Sequence, residues 1–260
     1  MSLTELMVVM AIIAILAGLI LMSVSRTKNS ARQTVCINNE KQLITTWAQW
    51  ANDNNGRLVP SHPWYDNGER MVPWVTGMGH PNYGAMTNSL YLLDDNFASF
   101  APYLNRARVY KCPESKEKIM GFDTIRSYSM NQFMGTPRKD NTWWYFEEKD
   151  DIPEPSRFFV FADQNPKYIC WPIMMIRMTN NYWINLPATH HNYGGTLSFG
   201  DGHVEYHKWR EKPTKGHPSV QRWVHAAWPN HGTQAQPNDR DLAWLRYRST
   251  MPKGTNGIAF

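Results

Sequence analysis

The apolar positions at the start of the chain are continuous rather than periodic. From Leu6 to Val24 nineteen residues carry no charge, and only Ser23 has a polar side chain. As a helix at about 1.5 Å per residue this run is roughly 29 Å long, close to the hydrocarbon thickness of a bilayer. Nothing basic precedes it, and Arg26, Thr27 and Lys28 follow it. A secretory signal peptide has the reverse charge order and a small-residue cleavage site, so the segment reads as a span that is kept. One ionisable group, Glu5, stands at its head.

After the span the pattern becomes periodic. Residues 25–53 contain no Pro or Gly, and Val35, Leu43, Trp47, Trp50 and Ala51 recur at spacings that keep one side apolar. The pattern predicts one helix over residues 1–53, apolar all round over 1–24 and amphipathic afterwards. The stretch "NDNNGR" ends it, with Gly56 as a left-handed stop. A helix of about 52 residues extends roughly 78 Å, longer than the rest of the chain is wide as a domain, so its front part must project. Gly18 is its weakest point, costing about 1 kcal/mol relative to Ala.

Residues 54–260 read as one globular domain. From Pro60 to about Asn105 Gly, Pro, Asn and aromatics are dense, which predicts a long structured loop with a short helix around residues 90–104. "RFFVFAD" (157–163) is a buried strand, and "GTLSFGDGHVEYHKW" (195–209) is a hairpin turning at Gly200, Asp201 and Gly202. Residues 210–260 show no period and read as an irregular extension. The fold class is α+β, with the long helix packed on a small antiparallel β-sheet that carries loop-rich insertions.

Composition changes this picture little. Mean hydropathy is −0.54 despite the apolar start. The net charge of +5 is spread along the chain with acids interleaved, so nucleic acid is not an expected partner. The aromatics, Trp 12, Tyr 12 and Phe 10, lie largely in loop-like sequence and serve either core packing or contacts between subunits. Cys36, Cys112 and Cys170 lack CxxC spacing, which argues against a zinc knuckle.

For chemistry the best candidates are His190, His191, Asp201 and His203, with Asp163, which the hairpin could gather around a divalent cation. The competing reading is structural: Asp201 between two glycines suits a tight turn, and a His bonded to a turn backbone is an ordinary device. No nucleophile–base pair and no Gly-rich phosphate loop is recognisable, so an enzyme is not expected, and no cofactor beyond that cation.

Two stretches carry a family resemblance. "SLTELMVVMAIIAILAGLI" resembles the mature N-terminus of type IV pilins and type II secretion pseudopilins, which begin at a residue freed by leader removal and bear an acid at position five. "HNYGGTLSFGDG", with nine residues between His191 and the pair Asp201-Gly202, resembles the H-X9-DG family of bacterial prepilin-type proteins, as do "YKCPES", "RSYSMN" and "FVFADQ". The resemblance implies a pilin-like fold in which Met1 is the first residue after prepilin peptidase processing, its amine methylated. It implies many copies in a helical filament, packed through Met1, Glu5, Leu6, Val9, Ile13, Leu16, Gly18 and Ile20, and built by pilus or secretion assembly machinery. The subunit would sit in the inner membrane before assembly, with its domain outside. Arg26, Lys28 and Arg32 alone would place the domain in the cytoplasm, but a basic leader would have reversed that balance. The alternatives are a pseudopilin of a type II secretion system, or a membrane-anchored metal-binding domain using the His/Asp cluster.

Two further expectations rest on the resemblance. Cys36 and Cys112, whose contexts are similar to the family's, would form a disulfide in an oxidising compartment, leaving Cys170 unpaired. Glu5 would pair with the Met1 amine of its own or the next subunit. The sequence departs from the family at Met22, where Pro is common. Any unwinding of the helix would therefore centre on Gly18.

Overall fold

The structure is a computed structural model that describes residues 2–66, 68–77, 84–119, 121–138, 140–166, 169, 171–211 and 232–254. Met1, Cys170 and most of the expected extension lie outside these.

The first helix, α1, runs unbroken over Leu3–Asp53. Its start is fixed by a capping box: the Glu5 amide donates to Ser2 Oγ (3.2 Å), and the Ser2 amide donates to Glu5 Oε2 (2.7 Å). Its end falls at the expected stop. Asn55 (φ 55°) and Gly56 (φ 84°) turn left-handed, and the Gly56 amide donates to the Ala51 carbonyl.

The two halves of α1 have opposite surroundings. Leu3–Ile20 has a mean hydropathy of 2.6 and no part of it is buried. Further along, Cys36, Glu40, Leu43, Ile44, Trp47 and Ala51 are buried along one side, the i, i+3, i+4 stripe of a helix on a core. Val35, expected on this stripe, instead faces outward and is 46% exposed.

Beyond α1 come a hairpin of β1 (Trp64–Asp66) and β2 (Glu69–Met71) and two single-turn helices, α2 (Gly84–Thr87) and α3 (Leu90–Leu93). The helix expected over 90–104 is thus only its first turn; Asp94, in extended backbone at its end, stops it. A small hairpin follows, β3 (Lys118–Ile119) with β4 (Phe122–Asp123), and then β5 (Tyr128–Asn131), β6 (Phe159–Asp163), β7 (Ile173–Met174), β8 (Tyr182–Trp183), β9 (Gly194–Phe199) and β10 (Val204–Lys208). The chain closes with β11 (Thr233–Gln234) and α4 (Arg240–Tyr247).

The main sheet has the order β10-β9-β6-β5-β7. It is mixed rather than purely antiparallel, because the chain reverses after β6 and passes β5 to reach its free edge, so β7 runs parallel to β5. The expected strand at 157–163 and the expected hairpin are β6 and β9–β10.

The sheet is covered on both faces. On one, α1 and the loops bury Leu43, Trp47, Trp74, Phe100, Tyr110, Val160 and Phe161; on the other, α4 and β8 bury Phe159, Ala162, Trp183, Leu197, Phe199 and Trp209. A bulge between Phe159 and Phe161 lets the consecutive Val160 and Phe161 both join the first cluster. The aromatics in loop sequence serve this core: Trp74 lies 5.0 Å from Phe161, 5.9 Å from Phe100 and 6.2 Å from Tyr110 between ring centroids. Within the segment read as irregular, α4 is an ordered helix. Asp239 caps it by accepting from the Leu242 amide, and Leu242 and Leu245 are buried.

Candidate functional site

The layer between α1 and the sheet is not wholly apolar. Cys36 and Glu40 stand one turn apart on the buried side of α1 and project toward the strands. Because β9 alternates, Leu197 and Phe199 face α4 while Thr196 and Ser198 face α1. The Thr196 hydroxyl donates to Glu40 Oε1 at 2.8 Å, leaving Glu40 Oε2 buried without a hydrogen-bond partner. Burial pushes the Glu40 carboxyl well above the usual carboxylate range, and repulsion from Asp163 adds to this, against the bond from Thr196 and the nearby Ser198 hydroxyl, which does not reach hydrogen-bond geometry.

At one end of this polar layer four side chains converge. Cys36 comes from α1. Cys112 follows the 3-10 turn Ala107–Tyr110, its amide held by Ser127 Oγ at 2.8 Å. Asp163 ends β6, and its backbone carbonyl accepts from the Ala188 amide. His191 precedes β9, its carbonyl held by the Tyr206 hydroxyl at 2.6 Å. All four are buried, and one ligand atom from each lies within 4.8 Å of the others. His191 Nε2 is 3.0 Å from Cys36 Sγ and 3.2 Å from Cys112 Sγ. Both oxygens of Asp163 are buried with no hydrogen-bond partner.

The disulfide expected between Cys36 and Cys112 is not formed: both are free thiols. The His191 ring nitrogen lies within hydrogen-bonding reach of both sulfurs, although it can bond only one at a time. The neighbouring Cys36 thiol, together with burial, pushes the Cys112 thiol up. Burial raises the Asp163 carboxyl to about 7, against the pull of Ser127 and Cys112, which lie near it without reaching hydrogen-bond geometry. Burial also lowers the His191 imidazole, with the Glu114 carboxylate opposing, so the ring is neutral near pH 7.

The residues gathered into one candidate cation site from the sequence fall into separate places. His191 and Asp163 join the cysteines. His190 is half-buried beside them, its Nε2 unpartnered, and burial lowers it to about 4. Asp201 and His203 sit one strand away at the exposed β9–β10 turn, paired with each other at 2.6 Å, with Gly202 left-handed at φ 90°. The turn is docked on α1 by Lys41 Nζ, which donates to the Gly202 carbonyl at 2.7 Å. The H-X9-DG stretch therefore does two jobs, one at each end of β9. Sequence reading missed Glu40 and the meeting of the thiols with His191. The signal for Glu40 was a carboxylate on the apolar stripe of α1.

The second candidate feature is the apolar head. Leu6, Val9, Ile13, Leu16 and Ile20 are between 46% and 61% exposed, and Gly18 is exposed among them. This one N-terminal helix is long and apolar enough to cross a membrane. Met1, the expected partner of Glu5, lies outside the described residues. Glu5 itself is engaged by Ser2. Comparison of the chain with protein-family models, with curated proteins and with solved structures finds no match.

Proposed function

We propose that the chain is the subunit of a type IV pilus-like helical filament, held in the inner membrane through its apolar head and then assembled outside it. One observation carries this reading: an apolar helical segment buries none of its surface within its own chain, while the same helix continues without a linker into the core of the folded domain. Such a surface must be covered by lipid or by apolar surface of other copies. Burying Leu6, Val9, Ile13, Leu16 and Ile20 alone would contribute on the order of 10 kcal/mol. Because head and domain share one rigid rod, packing the heads fixes the domains in a regular array. A flexible tether would not do so.

The resemblance of the N-terminal stretch to pilins adds the rest: processing by a prepilin peptidase, methylation of the Met1 amine, and assembly machinery as partners. The pseudopilus of a type II secretion system uses the same head packing and is the alternative. The test is electron microscopy of sheared cell-surface material with an antibody to residues 54–260. Thin labelled filaments are expected. The chain recovered solely as a membrane-bound monomer, under conditions where the assembly machinery is expressed, would overturn the reading.

A further inference from the structure

We propose that Cys36, Cys112, Asp163 and His191 bind one zinc ion that joins α1 to the sheet. The proposal does not depend on the filament reading. It starts from an arrangement that hydrogen bonding leaves unfinished. A neutral imidazole offers at Nε2 either one N–H or one lone pair, in the ring plane. Here that single nitrogen lies 3.0 and 3.2 Å from two sulfurs. The Asp163 carboxylate, fully buried, offers two oxygens to the same space and has no hydrogen-bond partner for either. Buried acceptors without donors are rare and costly, and a cation bound among them satisfies all four groups at once.

The dimensions fit. Zinc bonds of about 2.3 Å to sulfur and about 2.0–2.2 Å to nitrogen and oxygen place the ligand atoms of a tetrahedron roughly 3.3–3.8 Å apart. The four atoms here already lie within 4.8 Å of one another, so the change required is about 1.5 Å at most for any pair. The donor set selects the metal: two thiolates are soft ligands, which disfavours magnesium and calcium, and the mixed sulfur, nitrogen and oxygen set suits tetrahedral zinc. All four ligands are buried and all four positions are filled by protein, the mark of a structural rather than a catalytic site. Binding replaces the two thiol protons, which pass to water with any proton on Asp163, and no electrons move. The ligands come from α1, the loop after the 3-10 turn, the end of β6 and the approach to β9, so one ion would tie together elements far apart in the chain.

The experiment uses the full chain, purified in detergent without chelator or reductant. Elemental analysis should find about one zinc per chain. A thiol-specific mercurial applied to the folded protein should release that zinc, read with a chromogenic chelator. After removal of the zinc, cobalt(II) added alone should give the near-ultraviolet charge-transfer absorption of thiolate ligation. Asp163→Asn should weaken zinc affinity by roughly tenfold or more, while Asp201→Asn, at the exposed turn, should leave zinc content unchanged. A Cys36–Cys112 disulfide in non-reducing peptide mapping, thiols that react freely with no metal present, or copper in place of zinc would each overturn the proposal. The mercurial and mapping measurements use the native chain, so they decide the matter even where a variant fails to fold.

Discussion

Glu40 shows what one buried acid does to this molecule. Its folded carboxyl is held well above the ordinary value near 4.5 by burial, so folded chains keep a proton that unfolded chains lose. The unfolded state binds fewer protons throughout that window, and stability falls as pH rises through it, by about 1.4 kcal/mol per pH unit for a single group. His62 and His190 act in the opposite sense. Burial lowers both to about 4, so their contribution is lost as pH falls from about 6.5 to about 4. We expect Glu40→Gln to make the stability of the chain rise more, or fall less, with pH above about 4.5 in urea unfolding while retaining an acceptor for the Thr196 hydroxyl; an unchanged pH dependence would show that Glu40 is ionised in the fold. Each half of the converging cluster was visible in the sequence, the cysteines as a pair and His191 with Asp163 as ligand types. Their meeting was not, because Cys36, Cys112, Asp163 and His191 stand far apart in the chain and no local spacing records a tertiary contact. For the same reason Asp201 and His203, adjacent to His191 along the motif, were joined to a site from which β9 separates them.

At the scale of elements, the two halves of α1 should answer mutation differently. Trp47 is fully buried against the sheet, and Trp47→Ala should cost about 3–5 kcal/mol in denaturant unfolding. Leu16 is 54% exposed, and Leu16→Ala should leave the unfolding of the domain unchanged while reducing filament yield. Equal losses of domain stability from both would mean that the head folds back on the domain. The elements that could be read beforehand were those with enough residues to show a period: α1, the β6 run and the β9–β10 hairpin. β5, β7 and α4 were not. β7 has two residues, too few for alternation. β5 alternates Tyr128, Ser129, Met130 and Asn131, but four residues give only two periods, too few to stand out. The eight residues of α4 follow a segment rich in Pro and Gly, which masked its Asp239 cap and its buried Leu242 and Leu245.

For the whole molecule, the question is what Glu5 would contribute in the proposed filament, where heads would pack together. In the single chain it completes a capping box with Ser2, which accounts for an acid in the first turn without any partner subunit. The capping role is separable from the charge. Gln also serves at this position of a capping box, so Glu5→Gln keeps the bond to the Ser2 amide and removes only the negative charge. Ser2→Ala does the reverse, losing the cap at a cost of about 1 kcal/mol while leaving the carboxylate. In an apolar filament core an unpaired carboxylate is costly and must meet a cation, and the amine of Met1, on its own chain or the next, is the cation that the pilin resemblance supplies. Pairing across subunits would fix their axial offset, since a slip by one helical turn, about 5.4 Å, separates the charges. The expected result is therefore asymmetric. Glu5→Gln should leave domain melting and membrane insertion unchanged while sheared filament yield falls sharply, whereas Ser2→Ala should assemble close to normally. Filaments in normal yield from Glu5→Gln would show that the acid acts only as a helix cap and that the subunit register is set by the apolar side chains alone.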